Sequence, residues 1–237
     1  RWPVDLKPLW TPDGTRKDAP GAATWITVAD LEHYLQGLAF SGLATPFERE
    51  PRLGIAPDYE RRTVAQGMLY QTEFVRPHAA TGLLVWVDPA VELPDSGWLA
   101  LGGQARAAYY RSVDETELRL PPVPPATQRI KILLLTPAYF SGGWQPGDGD
   151  WSRVLGCSAN LISVALPRAL DLGGRDIAHN HHRPMYTYVA PGSVYFFELA
   201  QPLQSQPSPF TQTPPDALPH DRLGFGQYAI GTWDWLP

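Results

Sequence analysis

Hydrophobic spacing near the start of the chain predicts one helix. Thr27-Val28-Ala29-Asp30 has the form of a capping box, in which the Thr27 hydroxyl accepts a hydrogen bond from the Asp30 backbone N–H. Apolar residues follow at helical spacing, namely Val28, Leu31, Leu35 and Leu38. Gly37 stands where a helix commonly ends in a left-handed residue. We therefore expect a helix whose apolar stripe packs into a core.

Farther along, the two-residue period of a strand replaces helical spacing. Met68, Tyr70, Thr72 and Phe74 alternate within Met68–Val75, so their side chains share one face of a strand. Leu83–Val87 is a nearly continuous apolar run, which is typical of a buried strand and is expected to pair back on the first. A further strand runs from Trp98 toward the pair Gly102-Gly103, with Arg106 three residues beyond it.

The second half is predicted to form one unit with four strands, Ile130–Leu135, Asn160–Leu166, Ser193–Leu199 and Gln227–Trp233. A helical turn at Trp151–Gly156 follows the first strand, so the order resembles a ferredoxin-like βαββαβ unit. Six prolines between Leu199 and Asp221 exclude the second helix, and a proline-rich loop is expected in its place. Gly224-Phe225-Gly226 then precedes the fourth strand, where missing Cβ atoms allow close backbone approach to RNA or to an adjoining lobe.

A proline run, Pro121-Pro122-Val123-Pro124-Pro125, separates the two halves. Neither a helix nor a central strand continues through such a run. We therefore predict two domains, covering residues 1–125 and 126–237, within an α+β fold that contains more strand than helix.

Composition places further limits on the fold and the setting. With 43% hydrophobic and 18% charged residues among 237, the chain is not generally disordered, and its 26 Pro and 21 Gly indicate short elements joined by loops. The chain begins at Arg1, which suggests that an N-terminal element is missing. One cysteine, Cys157, excludes an intrachain disulfide, and no segment resembles a signal peptide or a membrane span. We expect a cytoplasmic protein without a membrane partner.

Charge argues against an independent nucleic-acid binder. The net charge is −5, whereas such proteins usually carry a basic excess that releases counterions from phosphates. Between Glu48 and Arg76, five arginines are matched by five acidic residues. If RNA binds this segment, the shape of the surface and partner subunits must contribute.

Six segments, taken in order, resemble a known family. They are Arg52–Ile55, Arg62–Tyr70, Leu101–Arg106, Leu134–Ala138, Pro191–Phe196, and Gly224–Gly226 with Gly231–Trp233. The glycine loop before a last ferredoxin-like strand resembles the signature of the RAMP superfamily. The series as a whole resembles the third subunit of type III-B, or Cmr, CRISPR effectors.

This resemblance implies a fold and a role. It implies two ferredoxin-like lobes, the first incomplete at its N-terminus, and a non-catalytic scaffold that needs no cofactor or metal. It places such a subunit at the foot of the effector, beside the large palm-domain subunit and the backbone RAMP subunits. There it holds the 5′ repeat-derived tag of the CRISPR RNA (crRNA), and it meets target RNA only indirectly.

Proteins bind single-stranded RNA through phosphate contacts and base stacking, so residues with that chemistry are candidates. The candidate phosphate partners are Arg49, Arg52, Arg61, Arg62, Arg106 and Arg183. Backbone N–H groups at Gly102, Gly103, Gly224 and Gly226 are candidate phosphate neighbours. Met68, Tyr70 and Phe225 are candidate base platforms, although core packing also explains Tyr70 and Phe225.

Two other functions stay open. A RAMP-type endoribonuclease acting on repeat RNA would need a general base such as His33 or His181. A freestanding β-rich module would use some of the nine tryptophans to stack on ligands such as sugars, but Trp86, Trp98 and Trp233 occur in or beside apolar strands and are expected in the core. His179-Asn180-His181-His182 is interpreted as a polar loop, because one cysteine and no second histidine cluster argue against zinc.

Overall fold

The computed structural model describes residues 6–7, 25–38, 46–58, 60–79, 81–85, 87, 92–101, 106–113, 127–203, 209–215, 217 and 220–235. Contacts divide the chain into two units. The sheet unit contains Arg1–Ala19, Val28–Ser41 and Leu120–Pro237, and the hairpin unit contains Pro20–Thr27 and Gly42–Arg119. The predicted helix thus groups with the second half of the chain.

The described elements form a strand-rich α+β fold. In chain order they are α1 (Val28–Leu35), β1 (Phe47–Asp58), β2 (Thr63–Pro77), β3 (Ser96–Ala100), β4 (Ala107–Arg111), β5 (Arg129–Leu134), α2 (Ser152–Leu155), β6 (Ala159–Ala165), β7 (Leu170–Asp176), β8 (His181–Tyr188), β9 (Val194–Leu199), a 3₁₀ turn (His220–Leu223) and β10 (Tyr228–Thr232). Neither helix in the described ranges is long and apolar enough to cross a membrane.

The sheet unit is built on the four strands that the sequence predicts. They form one antiparallel sheet in the order β10-β5-β9-β6, which places the fourth, first, third and second predicted strands side by side. The short helix α2 ends at Gly156 with a left-handed φ of 72°. Where the structure describes the chain between β9 and β10, the 3₁₀ turn is the one helical element, in keeping with the prolines there.

One face of this sheet carries an aromatic core. Ile130, Ile132 and Leu134 alternate along β5 and are fully buried. The rings of Trp151 and Phe210 stack on one another with centroids 5.4 Å apart, and further buried residues around them are Phe140, Tyr195 and Phe197. The Tyr195 hydroxyl donates to the Trp144 carbonyl at 2.7 Å, so this deeply buried polar group is satisfied.

Helix α1 packs against the same unit through its C-terminal turn. The predicted helix is confirmed, and Gly37 ends it with a φ of 77°. Its apolar stripe is only partly in the core, because Leu35 is buried whereas Val28 and Leu38 are 47% and 54% exposed. Lys131 of β5, itself buried, donates from Nζ to the Tyr34 carbonyl, and this burial lowers the pKa of Lys131 to about 8. Burial likewise raises the pKa of the Tyr34 hydroxyl to about 12.

The described residues of the hairpin unit form two antiparallel hairpins. The strands β1 and β2 pair from Phe47↔Pro77 to Asp58↔Thr63, with an irregularity between Ile55 and Pro57. The strands β3 and β4 pair from Ser96↔Arg111 to Ala100↔Ala107.

The strand predicted at Met68–Val75 lies within β2, but its predicted partner is wrong. β2 pairs with β1 instead, and the described residues of Leu83–Val87 lie outside strands, with Leu83 83% exposed. A short apolar run does not by itself specify a strand, whereas strands that follow each other in sequence, such as β1 and β2, commonly pair.

The expected histidine loop is wrong as well, since this segment is part of a hairpin. β7 and β8 pair from Leu170↔Tyr188 to Asp176↔His181, which places His181 and His182 in a strand. Asp176 accepts a hydrogen bond from the His179 backbone N–H at 3.1 Å across the turn. These strands are largely exposed and polar, so they lack the apolar alternation by which strands are recognised.

Candidate nucleic-acid interface

One face of the hairpin formed by β1 and β2 brings several predicted RNA-binding residues together. Directly opposite residues of an antiparallel pair project to the same face, and the register pairs Arg52 with Thr72 and Gly54 with Tyr70. The two-residue period adds Met68 and Phe74 to that face. We call Arg52, Met68, Tyr70, Phe74 and Arg106 the basic-aromatic face.

Phe74 is the centre of this face. The Arg106 guanidinium carbon lies 3.6 Å from the centre of the Phe74 ring, and that of Arg52 lies 5.0 Å from it. Both distances fall in the range of cation–π attraction. Arg106 immediately precedes β4, so this contact links the two hairpins of the unit. The two guanidinium groups are thereby held near each other on one ring.

Carboxylates balance part of this positive charge. Glu50 accepts a hydrogen bond from Arg52 Nε at 2.7 Å and one from Arg76 Nη2 at 2.6 Å. The hydrogen bond from Arg52, followed by that from Arg76, lowers the pKa of Glu50, so this carboxylate stays ionised at neutral pH. Glu48 is on the same face opposite Arg76. Arg52 and Arg106 of the face, together with Arg76, therefore lie beside the two carboxylates Glu48 and Glu50, and the excess positive charge is small.

Tyr70 and Met68 supply apolar surface beside the arginines. The Tyr70 ring lies over Gly54, where a Cβ atom would stand only 2.6 Å from Cε2 of the ring. Glycine at this position therefore lets the ring rest on the opposite strand. Tyr70 is 52% exposed and Met68 53% exposed. An aromatic ring next to guanidinium groups suits stacking on a nucleobase whose phosphates contact the arginines.

Other predicted residues of the hairpin unit lie elsewhere. Arg49 is on the opposite face of β1, where it forms an ion pair with Glu73. Arg61 and Arg62 occupy the turn between β1 and β2, and Arg62 adopts a φ of 51°. Gly102 and Gly103 lie outside the described residues.

In the sheet unit, the glycine loop packs against its own unit. Gly226 has a φ of 68°, and a Cβ atom there would lie 2.7 Å from Cβ of Thr211. The Gly226 N–H donates to the Pro137 carbonyl at 2.8 Å, and the Gly226 carbonyl accepts from the Phe210 N–H at 2.8 Å. The close approach expected at Gly226 thus has the chain's own Phe210–Thr211 segment as its partner.

The neighbouring residues of the loop differ in exposure. Phe225 is half-buried and stacks on His220 with ring centroids 4.5 Å apart. His220 Nε2 lies 2.8 Å from the Tyr188 hydroxyl, so Phe225 belongs to an aromatic cluster. Gly224 is exposed, and a Cβ atom there would meet open space. Arg183 is exposed on β8.

Two features of the hairpin unit escaped the sequence analysis. Phe74 was predicted to share a face with Tyr70, but nothing in the spacing indicates that two arginines meet on its ring. Trp98 was expected in the core and is instead 73% exposed, so that expectation is wrong.

The other two tryptophans expected in the core are Trp233 and Trp86. Trp233 is half-buried and donates from Nε1 to the Phe197 carbonyl at 3.1 Å, whereas Trp86 lies outside the described residues.

The histidines considered for catalysis or metal binding belong to the sheet unit. His33 is exposed on α1, and the ring of His181 lies 6.1 Å from that of His179. Among the residues with described positions, no group of three or more His, Cys, Asp or Glu side chains is arranged to hold a metal ion.

The chain is similar to several proteins of known structure. No curated protein matches it, whereas nine chains of solved structures do. One of these is described as the cryo-EM structure of the Type III-B Cmr-beta bound to cognate target RNA, with 20% sequence identity and a TM-score of 0.43. The match covers 63% of this chain and 45% of that chain, so the sequence spans less than half of its length.

A family model gives the broader match. The model for CRISPR-associated protein (Cas_Cmr3) matches residues 4–233, which is nearly the whole chain. This match confirms the resemblance drawn from the six segments, and the chain belongs to the CRISPR-associated Cas_Cmr3 family.

Proposed function

We propose that the chain is a non-catalytic RNA-binding subunit of a type III-B CRISPR effector and holds the 5′ repeat-derived tag of the crRNA. The basic-aromatic face is the observation that carries this proposal. Family membership supports the effector assignment, and the face supplies a surface with the chemistry that a single RNA strand requires. In this proposal the sheet unit is one ferredoxin-like lobe, and the hairpin unit belongs to the other.

The arginines of the face would bind the phosphates of the tag. A guanidinium group presents planar donors that match two phosphate oxygens at once. Because Phe74 restrains Arg52 and Arg106, less side-chain entropy is lost when RNA binds than for two freely rotating arginines. Arg61 and Arg62, at the end of the same hairpin, would extend the phosphate contacts.

The exposed side chains of Tyr70 and Met68 would contact bases of the tag. In this proposal the remaining candidate residues make secondary contacts with RNA, namely Arg49, Arg183, Gly102, Gly103, Gly224 and Phe225. Gly226 would act indirectly, because its N–H already bonds to Pro137 and its backbone shapes the loop.

The modest positive charge of this face implies that other subunits also contact the RNA. Carboxylates offset most of the arginines of the face, and the chain as a whole carries a net charge of −5. Additional basic surface would come from the large palm-domain subunit and the backbone RAMP subunits. The crRNA would in turn connect this subunit to the target RNA.

Replacing Arg52 and Arg106 together by alanine tests the proposal. We expect RNA affinity to fall roughly tenfold for each arginine, because each removes a charge-assisted contact. The slope of log affinity against log salt should also decrease by about 0.7 for each lost phosphate contact with a single strand. Fluorescence anisotropy of the full chain with an RNA that carries the 5′ tag measures both quantities.

Arg153→Ala is the matched control, since Arg153 is an exposed arginine of α2 in the sheet unit. It should bind RNA like the unmodified chain. Equal affinities and salt slopes for the double variant and the control would contradict the assignment of this face. Cleavage of repeat RNA that disappears in His33→Ala or His181→Ala would support the endoribonuclease instead.

A further inference from the structure

A second exposed aromatic surface lies on the hairpin formed by β3 and β4. Trp98 and Tyr109 are directly opposite each other in the register, and their ring centroids are 5.3 Å apart at an angle of 63°. Trp98 is 73% exposed and Tyr109 57% exposed. Large aromatic side chains usually bury most of their area, so an exposed pair on one strand face indicates a contact surface.

The two faces of this hairpin differ in what they contact. On one face, the Tyr110 ring lies over Gly97, where a Cβ atom would be 3.0 Å from Cε1 of the ring. The opposite face carries Trp98 and Tyr109, and its other residues are Ser96, Ala100, Ala107 and Arg111. Three of these four neighbours are small. The two rings meet edge to face, and with such small neighbours both stay largely exposed, which leaves ring surface open to a planar ligand.

Charge on this face favours an anionic partner. Arg111 is on the same face as Tyr109, two residues farther along β4, and is the one charged residue among the six strand residues of the face. A neutral sugar would need several polar side chains around the rings to bind its hydroxyl groups. Two aromatic rings with one guanidinium group instead match a nucleotide, whose base stacks and whose phosphate pairs with arginine.

We infer that Trp98, Tyr109 and Arg111 form a stacking platform for single-stranded RNA. One base stacks on the platform while Arg111 contacts an adjacent phosphate. Stacking accepts any base, so the platform binds RNA without regard to sequence, in contrast to recognition of a constant tag. The inference rests on the proposed RNA-binding function and adds a site distinct from the basic-aromatic face, which contains none of these three residues.

Fluorescein-labelled oligoadenylate, which lacks the tag sequence, is the probe for this platform. With the full chain, Trp98→Ala should weaken binding about tenfold, whereas Trp98→Phe should retain most of the affinity because phenylalanine still stacks. Arg111→Ala should reduce the salt slope by about 0.7, whereas Trp98→Ala should leave the slope unchanged. Trp235→Ala is the matched control, since Trp235 is 46% exposed in the sheet unit, and it should bind like the unmodified chain.

Photo-crosslinking gives a second readout that does not depend on a substitution. Oligonucleotides that contain 4-thiouridine should crosslink to the peptide that carries Trp98 or the one that carries Tyr109. Wild-type affinity in Trp98→Ala, crosslinks confined to other peptides, or no oligoadenylate binding by the full chain would each overturn the platform. Unchanged RNA affinity in Trp98→Ala with loss of a copurifying protein would identify a protein as the occupant and would also overturn it. Recovery of a tagged small RNA with the unmodified chain would still uphold the proposed function in any of these cases.

Discussion

Gly226→Ala is expected to destabilise the sheet unit by about 2 to 5 kcal/mol. A left-handed conformation costs a residue with a Cβ atom about 1–2 kcal/mol, and forcing atoms into a filled site costs about 1–3 kcal/mol more. Both costs apply, since Gly226 has a φ of 68° and its added Cβ would lie 2.7 Å from Thr211 Cβ and 2.9 Å from the Phe210 carbonyl carbon. Denaturant unfolding of the full chain measures the change.

Gly224→Ala separates these two costs within the same loop. Gly224 has a φ of 74°, but an added Cβ there meets open space. We expect the free energy of unfolding to fall by about 1–2 kcal/mol from backbone strain alone. Equal losses for the two variants would show that Gly226 is not packed against Phe210–Thr211 as described.

Gly231→Ala is expected to displace α1 from the sheet and to cost about 3 kcal/mol. The obstacle is backbone, because the new Cβ would lie 2.7 Å from the Leu35 Cα atom and no flexible side chain can move aside. Displacement would also break the hydrogen bond from Lys131 to the Tyr34 carbonyl. Hydrogen exchange at the Gln36 and Leu38 amides, which donate to Glu32 and His33, should therefore accelerate.

Gly82→Ala is the matched control for this substitution. An added Cβ at Gly82 meets nothing within 4 Å, so the change in stability should stay within about 0.5 kcal/mol. The close packing of α1 on β10 is contradicted if Gly231→Ala has the same free energy of unfolding as Gly82→Ala and its Leu38 amide exchanges at the original rate.

The sheet unit was predicted from sequence more accurately than the hairpin unit. The strands of its four-stranded sheet are largely apolar, and the predicted Ile130–Leu135 differs from the observed Arg129–Leu134 by one residue at each end, whereas the polar strands β7 and β8 were missed. The β1 strand was not predicted, because Pro51, Pro57 and several charged residues interrupt any alternation. A two-stranded hairpin tolerates such prolines, since its outer edges need no further hydrogen-bonded partner.

The sequence analysis identified the residues of the candidate site one by one, but it did not predict how they are arranged. Chemistry and resemblance identified Arg52, Met68, Tyr70 and Arg106 separately. The meeting of Arg52 and Arg106 on the Phe74 ring depends on the pairing of β1 with β2 and on the approach of Arg106 from a different hairpin, which local patterns do not encode.

Trp98 illustrates a related limit of sequence patterns. An apolar strand residue is buried only if a second layer covers it, and the β3–β4 hairpin leaves that face open. Its exposure therefore depends on how the whole unit is assembled, whereas the strand itself follows from local sequence.

The most direct test of the central claim is to sequence the 5′ ends of RNA that copurifies with the chain from cells carrying an intact CRISPR locus. The proposed function predicts a small RNA with one constant, repeat-derived 5′ end, recovered together with other effector subunits. A chain that remains monomeric and free of RNA, or that carries RNA with unrelated 5′ ends, would contradict it.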